Sequence, residues 1–240
     1  MKIALLGYGK MGKEIEKVAL EKGHSIVLKI TSKNSEFSSK DLQDADVAIE
    51  FSTPEFATQN IKKCFEANTP IVVGTTGWYE SFEGIKRFCL DQNQSLVHAT
   101  NFSIGVNLFF KLNEQLAKFM ESHPTYNIEV EEIHHTQKLD APSGTGISIA
   151  EQIIENNASK EKWVNYSSAD VKELGIVSKR IDDVPGTHSV YYKSTTDEIE
   201  IKHTAHNRSG FASGAVLAAE WIARNKNGIY TMKDVLSLLK

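Results

Sequence analysis

Between His134 and Gly146 the chain reads HHTQKLDAPSGTG, two imidazoles, an amine and a carboxylate running into a turn of Pro, Ser, Gly and Thr. Little of that stretch can build a hydrophobic core, so its residue types suit proton transfer and anion binding better than packing. An imidazole titrates near neutrality and can give or take a proton at physiological pH. Pro142, Ser143, Gly144 and Thr145 open a helical segment, GISIAEQII, whose first backbone N–H groups and two hydroxyls form an anion cradle. Lys138 adds a full positive charge beside it. A carboxylate substrate would be held there with an imidazole near its ring, while Asp140 fixes either the lysine or the turn. In a regular strand His134 and His135 point to opposite faces, so one pocket uses both only where the strand ends or kinks.

Residue type alone leaves other readings open: a solvated pair of surface histidines, a zinc site drawing on His188, His203 and His206, or a Ser143 nucleophile. His203 and His206 are three apart on a strand and diverge, no cysteine joins them, and the ligand spacing of zinc sites is absent. No strand–elbow–helix GxSxG surrounds Ser143. No metal is expected.

A second constellation opens the chain. Gly7, Gly9 and Gly12 form G-x-G-x-x-G directly after an apolar run, with Tyr8, Lys10 and Met11 as the intervening residues. The first glycine permits a tight turn and the second a close approach to a pyrophosphate, which the helix N-terminus favours. The third lets helix pack on strand. A plain βα turn is the bland alternative. About 20 residues on, where an acid would bind a ribose 2′-hydroxyl, stand Ile30, Thr31, Ser32 and Lys33, with no carboxylate before Glu36. A hydroxyl beside a lysine suits a 2′-phosphate better than a bare ribose. That favours NADPH, with NADH also open and a merely solvated Lys33 as the alternative. Gly74, Thr75 and Thr76 follow the strand PIVV, and their small hydroxyls and bare backbone fit a nicotinamide carboxamide.

The elements that must position these residues fall into two groups. KIALL (2–6), SIVLKI (25–30), ADVAIEFS (45–52), PIVVG (70–74) and SLVHA (95–99) read as strands. Helices alternate with them, over about 13–22, Pro54 to about Ala67, and Tyr79 to Asp91. Strands joined by helices imply right-handed crossovers and a doubly wound parallel sheet, a Rossmann-type α/β domain over 1–103. Beyond it, 108–122 reads as an amphipathic helix, and NIEVEEIHH (127–135), SVYYK (189–193) and EIEIKHT (198–204) alternate as one-sided strands. They suit an α+β domain over 104–211 with a mixed, open-faced sheet, which could also be an oligomer interface. ASGAVLAAEWIAR (212–224) is apolar almost all round, so the segment 212–240 is expected to return to the first domain.

With 240 residues, 40% of them hydrophobic, the chain can bury a sizeable core. A net charge of −4 without blocks of like charge argues against nucleic-acid or membrane-surface partners. Cys64 and Cys89 read as two reduced, helix-borne thiols, and the run IALL is too short for a signal peptide or membrane span. A cytoplasmic protein acting on a small acidic substrate is the expectation.

EIHHTQKLDAPSGTG closely resembles the signature of the 4-hydroxy-tetrahydrodipicolinate reductase (dihydrodipicolinate reductase) family, of the form E-x-H-H-x-x-K-x-D-A-P-S-G-T. GYGKMG, VVGTTGW, NFSIGVN, PGTH and HTAHNRSGFASGA follow in the family's order and spacing, so the resemblance spans nearly the whole chain. It implies hydride transfer from NADPH or NADH to a small cyclic dicarboxylate in diaminopimelate and lysine biosynthesis, by a homotetramer joined through its C-terminal sheet. His134 aligns with the family's proton donor/acceptor and Lys138 with its proton donor, and His135, Gly144 and Thr145 align with substrate contacts. Gly7 to Gly12, Gly74 to Thr76, and Ala99, Thr100, Asn101 and Phe102 align with cofactor contacts. Arg208, in HNRSGF, is a second carboxylate clamp or a structural ion-pair partner. Gly146 stands where the family commonly has Ala, a change expected only to loosen the helix start, and the stretch around 155–185 reads as trimmed. On the residues alone, another two-domain nicotinamide dehydrogenase and a non-catalytic nucleotide sensor remain as rivals.

Overall fold

The computed structural model describes residues 1–34, 36–224 and 227–238. It divides into two compact units, Met1–Ile104 with Arg208–Lys240, and Gly105–Asn207. The chain begins with β1 (Lys2–Leu6), α1 (Lys10–Glu21), β2 (Ser25–Ile30), β3 (Val47–Glu50), α2 (Pro54–Glu66), β4 (Ile71–Val73), α3 (Phe82–Asp91) and β5 (Ser95–His98). Then come α4 (Ile104–Met120), β6 (Asn127–His134), α5 (Gly144–Asn156), β7 (Lys162–Val164), β8 (Glu173–Arg180), β9 (Gly186–Lys193) and β10 (Glu198–Ala205). It returns to the first unit with α6 (Ser209–Ile222), β11 (Gly228–Tyr230) and α7 (Met232–Val235). In that returning segment, 225–226 and 239–240 lie outside the described residues.

The first unit is a parallel six-stranded sheet in the order β11-β5-β4-β3-β1-β2. Strand side chains alternate between faces. Ile3, Leu5, Val47, Ile49, Val72 and Val97 pack with α1, α6 and α7, while Ala4, Leu6, Ala48, Ile71, Val73 and Leu96 pack with α2 and α3. Both faces are covered, which is why these strands read as unbroken apolar runs. The chain switches direction between β1 and β3, and open sheets of this kind bind ligands outside the carboxyl ends of the strands at such a switch.

α6, apolar almost all round except at Glu220, which pairs with Lys22 and His24, is buried in this unit, where Ala212, Ala215, Val216, Ala218 and Ala219 are wholly enclosed. Its small side chains allow close approach. A Cβ on Gly214 would overlap the Phe102 carbonyl. The helix starts three residues before the apolar run does, α1 three and α4 four before their expected starts, because first turns carry caps and small residues as well as core residues.

The second unit is a mixed sheet, β10-β9-β6-β8-β7, antiparallel from β10 to β6 and parallel from β6 to β7. One face is covered by α4 and α5 through Phe109, Ala117, Ile149 and Ile153 on Ile128, Val130, Ile176 and Val190. The stretch around 155–185 supplies β7 and β8. β7 spans three residues and only β8's middle is apolar, so neither carries a period that stands out in the sequence. Among the described residues, no helix is long and apolar enough to cross a membrane.

Candidate active site

In the first unit, Gly9 caps α1 and the three glycines divide their work. Gly7 has φ 105°, which side-chain-bearing residues rarely adopt, and a Cβ there would overlap the Phe51 carbonyl; one on Gly12 would overlap the Gly7 carbonyl. A Cβ on Gly9 would meet nothing within 4 Å. Gly7 and Gly12 therefore serve the turn and its packing, and Gly9 faces open space where a pyrophosphate can approach. That space continues into a cavity of about 240 Å³ lined by Gly7, Tyr8, Gly9, Thr31, Ser32 and Phe51 among others. A second opening brings Gly9, Lys10 and Met11 together with Gly74, Thr75 and Thr76.

Hydrogen bonds hold this rim. The Gly7 and Tyr8 N–H groups donate to the Ile30 carbonyl at 3.1 and 2.8 Å, and the Tyr8 hydroxyl donates to Glu16. Thr31 Oγ1 accepts from the N–H groups of Lys33 and Asn34 at 3.2 and 3.1 Å, leaving Ser32 and Lys33 exposed at the end of β2. Beneath the rim, the Glu50 carboxylate is wholly buried and accepts from the Ser52 N–H at 3.0 Å and the Ser52 hydroxyl. The Glu50 carbonyl accepts from Gly74 N–H at 2.9 Å, and Ser52 N–H also reaches Thr75 Oγ1 at 2.8 Å. Burial raises the Glu50 pKa above the usual carboxylate range. Phe102 is buried against Phe51, ring centroids 5.8 Å apart, and Asn101 Oδ1 accepts from Ser103 N–H at 2.9 Å. Ala99 is half-buried and Thr100 exposed just before them. These surroundings fit a dinucleotide.

In the second unit, the period of two along β6 puts Glu132 and His134 on the same face as the core residues Ile128 and Val130. Cross-strand register continues the row: Glu132 lies opposite Ser178 on β8 and His188 on β9, and His188 opposite His203 on β10. Glu132 is 0% exposed and His134 only 7%. The Glu132 carboxylate accepts from Ser143 N–H at 2.9 Å, from the Ser143 hydroxyl, and from the Ser178 hydroxyl at 2.9 Å. Its Oε2 stands 3.9 Å from His134 Nδ1 and 3.7 Å from His188 Nε2. Burial opposes its charge, but the donors from Ser143 and Ser178 outweigh that and hold the carboxyl below the usual range. Burial lowers the pKa of His134, with Glu132 pulling the other way, and pushes His188 down to about 4. At neutral pH the row is thus one ionised carboxylate between two neutral imidazoles. The donor atoms of Glu132, His134 and His188 lie within 4.8 Å of one another, a grouping that sequence spacing did not reveal.

Ser143 caps α5, its Oγ accepting from Gly146 N–H at 3.0 Å. Expected to face a ligand, it is instead buried and turned onto Glu132. Exposed Gly144 and half-buried Thr145 form the outward part of the helix tip. Lys138 Nζ is held by both Asp140 oxygens at 2.7 and 2.8 Å, so Asp140 fixes the lysine. The turn itself is held by Arg180, whose guanidinium donates to the carbonyls of Lys138 at 3.3 Å and Asp140 at 2.5 Å. Because β6 ends at His134, the next residue escapes the alternation, and His135 is half-buried in the turn.

Residues 1–102 match the family described as Dihydrodipicolinate reductase, N-terminus, and residues 105–236 match Dihydrodipicolinate reductase, C-terminus. The chain belongs to the dihydrodipicolinate reductase family. It is 48% identical over 239 residues to the 4-hydroxy-tetrahydrodipicolinate reductase of Christiangramia forsetii, covering 99% of this chain and 98% of that one. With the Methanosarcina barkeri 4-hydroxy-tetrahydrodipicolinate reductase it shares 40% identity over 197 residues, 81% of this chain and 74% of the other. In fold it matches the dipicolinate-bound dihydrodipicolinate reductase of Paenisporosarcina sp. TG-14 with a TM-score of 0.79 at 23% identity, covering 98% of each chain.

For this member of the reductase family, the structure brings His134, Lys138, Ser143, Gly144 and Thr145 around the tip of α5, all in the second unit. Arg208, grouped by sequence with that unit, is exposed at the N-cap of α6 in the first. Sequence reasoning missed Glu132, Ser178 and Arg180, and weighed His188 only as a zinc ligand. A signal for Glu132 existed, since the period that buries Ile128 and Val130 runs on through positions 132 and 134. Ser178, Arg180 and His188 join only through cross-strand register, which one sequence does not contain. Gly146 also gains a role: a Cβ there would stand 2.7 Å from Glu132 Oε2, so glycine makes room for the carboxylate rather than merely loosening the helix.

Proposed function

We propose that this chain reduces 4-hydroxy-tetrahydrodipicolinate (dihydrodipicolinate) to tetrahydrodipicolinate with hydride from NAD(P)H, within diaminopimelate and lysine biosynthesis. The observation that carries this reading is 48% identity to a reductase of that name along both units. A nicotinamide, when bound, supplies the hydride. The chain's own residues do the rest. The glycine rim and the Ser32–Lys33 end of β2 hold the dinucleotide, with Gly74–Thr76 and Ala99–Phe102 toward its nicotinamide end; the absence of a carboxylate after β2 favours NADPH without barring NADH.

The substrate's carboxylates are taken by the α5 tip at Gly144 and Thr145 and by Lys138 and His135, all in the second unit. Ser143 acts indirectly, since its donors are spent on Glu132. Negative charge that builds on the conjugated ring as hydride arrives is quenched by one proton, for which His134 and Lys138 are the candidates. From the hydroxylated substrate one water also leaves, so that substrate, NAD(P)H and one proton become tetrahydrodipicolinate, NAD(P)⁺ and water. Asp140 keeps the Lys138 ammonium oriented between turnovers. The resemblance to the family also supports a homotetramer in the cytoplasm. The test follows NADPH and NADH oxidation on addition of the product of dihydrodipicolinate synthase. Oxidation of either nucleotide dependent on that product is expected, and none with either nucleotide would refute the reading.

A further inference from the structure

Buried ionised carboxylates are costly, and proteins that keep one surround it with donors. Glu132 has such donors in Ser143 and Ser178, yet its Oε2 also faces two imidazoles at 3.9 and 3.7 Å, beyond hydrogen-bond reach. His134 Nδ1 is buried and has no hydrogen-bond partner. Its other nitrogen lies toward Gly186, where a Cβ would stand 3.3 Å from Nε2, so a glycine leaves that edge of the ring uncrowded. A carboxylate on one side of the ring and a bare backbone on the other is an arrangement for holding an imidazole and biasing its proton, more than a packing solution.

We propose that Glu132 is the positioning residue for His134: a fixed negative charge behind the ring that favours the protonated imidazole while anchoring the α5 tip through Ser143. The inference rests on the reading of His134 as a proton donor. One carboxylate thereby links the group that handles the proton to the helix end that holds the anion. The charges facing His134 are Glu132 on its own strand, Arg180 on β8, and Lys138 and Asp140 in the turn, with the His188 ring of β9 neutral beside it at 5.1 Å between centroids. Arg180 and Lys138 disfavour a proton on His134, Asp140 is tied to Lys138, and Glu132 is the closest charge acting in the proton's favour.

The test is the titration of the His134 ring by NMR in the ligand-free protein, in wild type and in Glu132→Gln, alongside the kcat–pH profile. Gln retains an acceptor for Ser143 N–H but removes the charge. The midpoint of His134 is expected to fall by about 1 unit or more. The limb of kcat that requires the protonated ring moves down in pH with it, while the KM for NADPH is unchanged. Glu132→Asp, which keeps the charge, restores most of the shift. Ser178→Ala removes one donor from the carboxylate, leaves its charge less satisfied, and moves the midpoint the opposite way; it carries the test if Glu132→Gln does not fold. An unmoved midpoint in the variant that folds overturns the proposal. Because the titration needs no substrate, a failure to turn over the proposed substrate would overturn the functional reading and leave this result standing.

Discussion

At the scale of single residues, identical letters in a motif hold different jobs. Gly7 and Gly12 abut backbone atoms that leave no room for a methyl group, whereas Gly9 faces open space. Gly9→Ala is therefore expected to leave thermal stability within about 1 kcal/mol of wild type, the usual cost of surface changes being smaller still. It should nevertheless weaken NADPH binding, because the added methyl enters the ligand's space. Gly7→Ala should lower stability by several-fold more, combining a positive φ with a carbonyl overlap. Thermal melts and nucleotide fluorescence titrations check the pair, and equal stability losses at positions 7 and 9 would contradict the division. His134 and Lys138 call for the reverse pattern. His134→Gln and Lys138→Ala should each cut kcat by ~10²–10⁴, the usual worth of a positioned acid or base, with dinucleotide affinity little changed because both lie outside the glycine rim. Turnover at the wild-type rate in both variants would remove them from the chemistry.

At the scale of elements, α6 supports the 99–103 loop by packing. Gly214 admits the Phe102 carbonyl, and Phe102 in turn packs on Phe51 beside the rim. Gly214→Ala gains roughly 1 kcal/mol of helix propensity but cannot be accommodated without moving the 99–103 loop. The expected result is a lower melting temperature together with an increased KM for NADPH, measured in steady state. A stabilised protein with unchanged KM would show that the loop is held by something else. This contact also marks where the sequence stopped being legible. The apolar girth of 212–224 announced a buried helix, and the apolar runs of Ile3 to Leu6 and Val47 to Ile49, joined by helices, announced a sheet covered on both sides. That a glycine midway along the helix would receive a carbonyl from residue 102 depends on a meeting of segments more than 100 residues apart. β8 was illegible for a related reason. ELGIVSKR has a buried middle and polar ends, and its polar end residues Ser178 and Arg180 serve Glu132 and the 138–140 turn rather than a core.

At the scale of the whole molecule, the polar row in the second unit ties folding to pH. In the second unit the core sheet continues into the buried Glu132, His134 and His188, with half-buried His203 beside them on β10. The motif around His134 made the chemistry legible, and the family resemblance supplied roles, yet the depth of these groups followed only from the sheet. His188 binds its proton at about pH 4 in the folded state and near 6.5 when unfolded. Between those values the unfolded chain holds more protons, so stability rises with pH across that window, is fully present above about 6.5, and is lost as pH falls toward 4. For a group this buried the loss is on the order of 3 kcal/mol. His134 and His203 are lowered too and act in the same sense, and Glu132, held low by its donors, adds a further loss below about pH 4.5. Glu50 in the first unit has the opposite sign, because its raised pKa makes ionisation above the ordinary carboxylate value work against the fold. Native-state hydrogen exchange resolves the two units separately. On going from pH 7 to pH 4.5, with intrinsic rates corrected, amides of β6 and β9 should lose on the order of 3 kcal/mol of opening free energy. In His188→Gln most of that loss should disappear. Constant protection of β6 and β9 across that range would mean the imidazoles accept protons without cost, and the buried row would not be the dry, neutral pair of rings around a carboxylate that the fold builds.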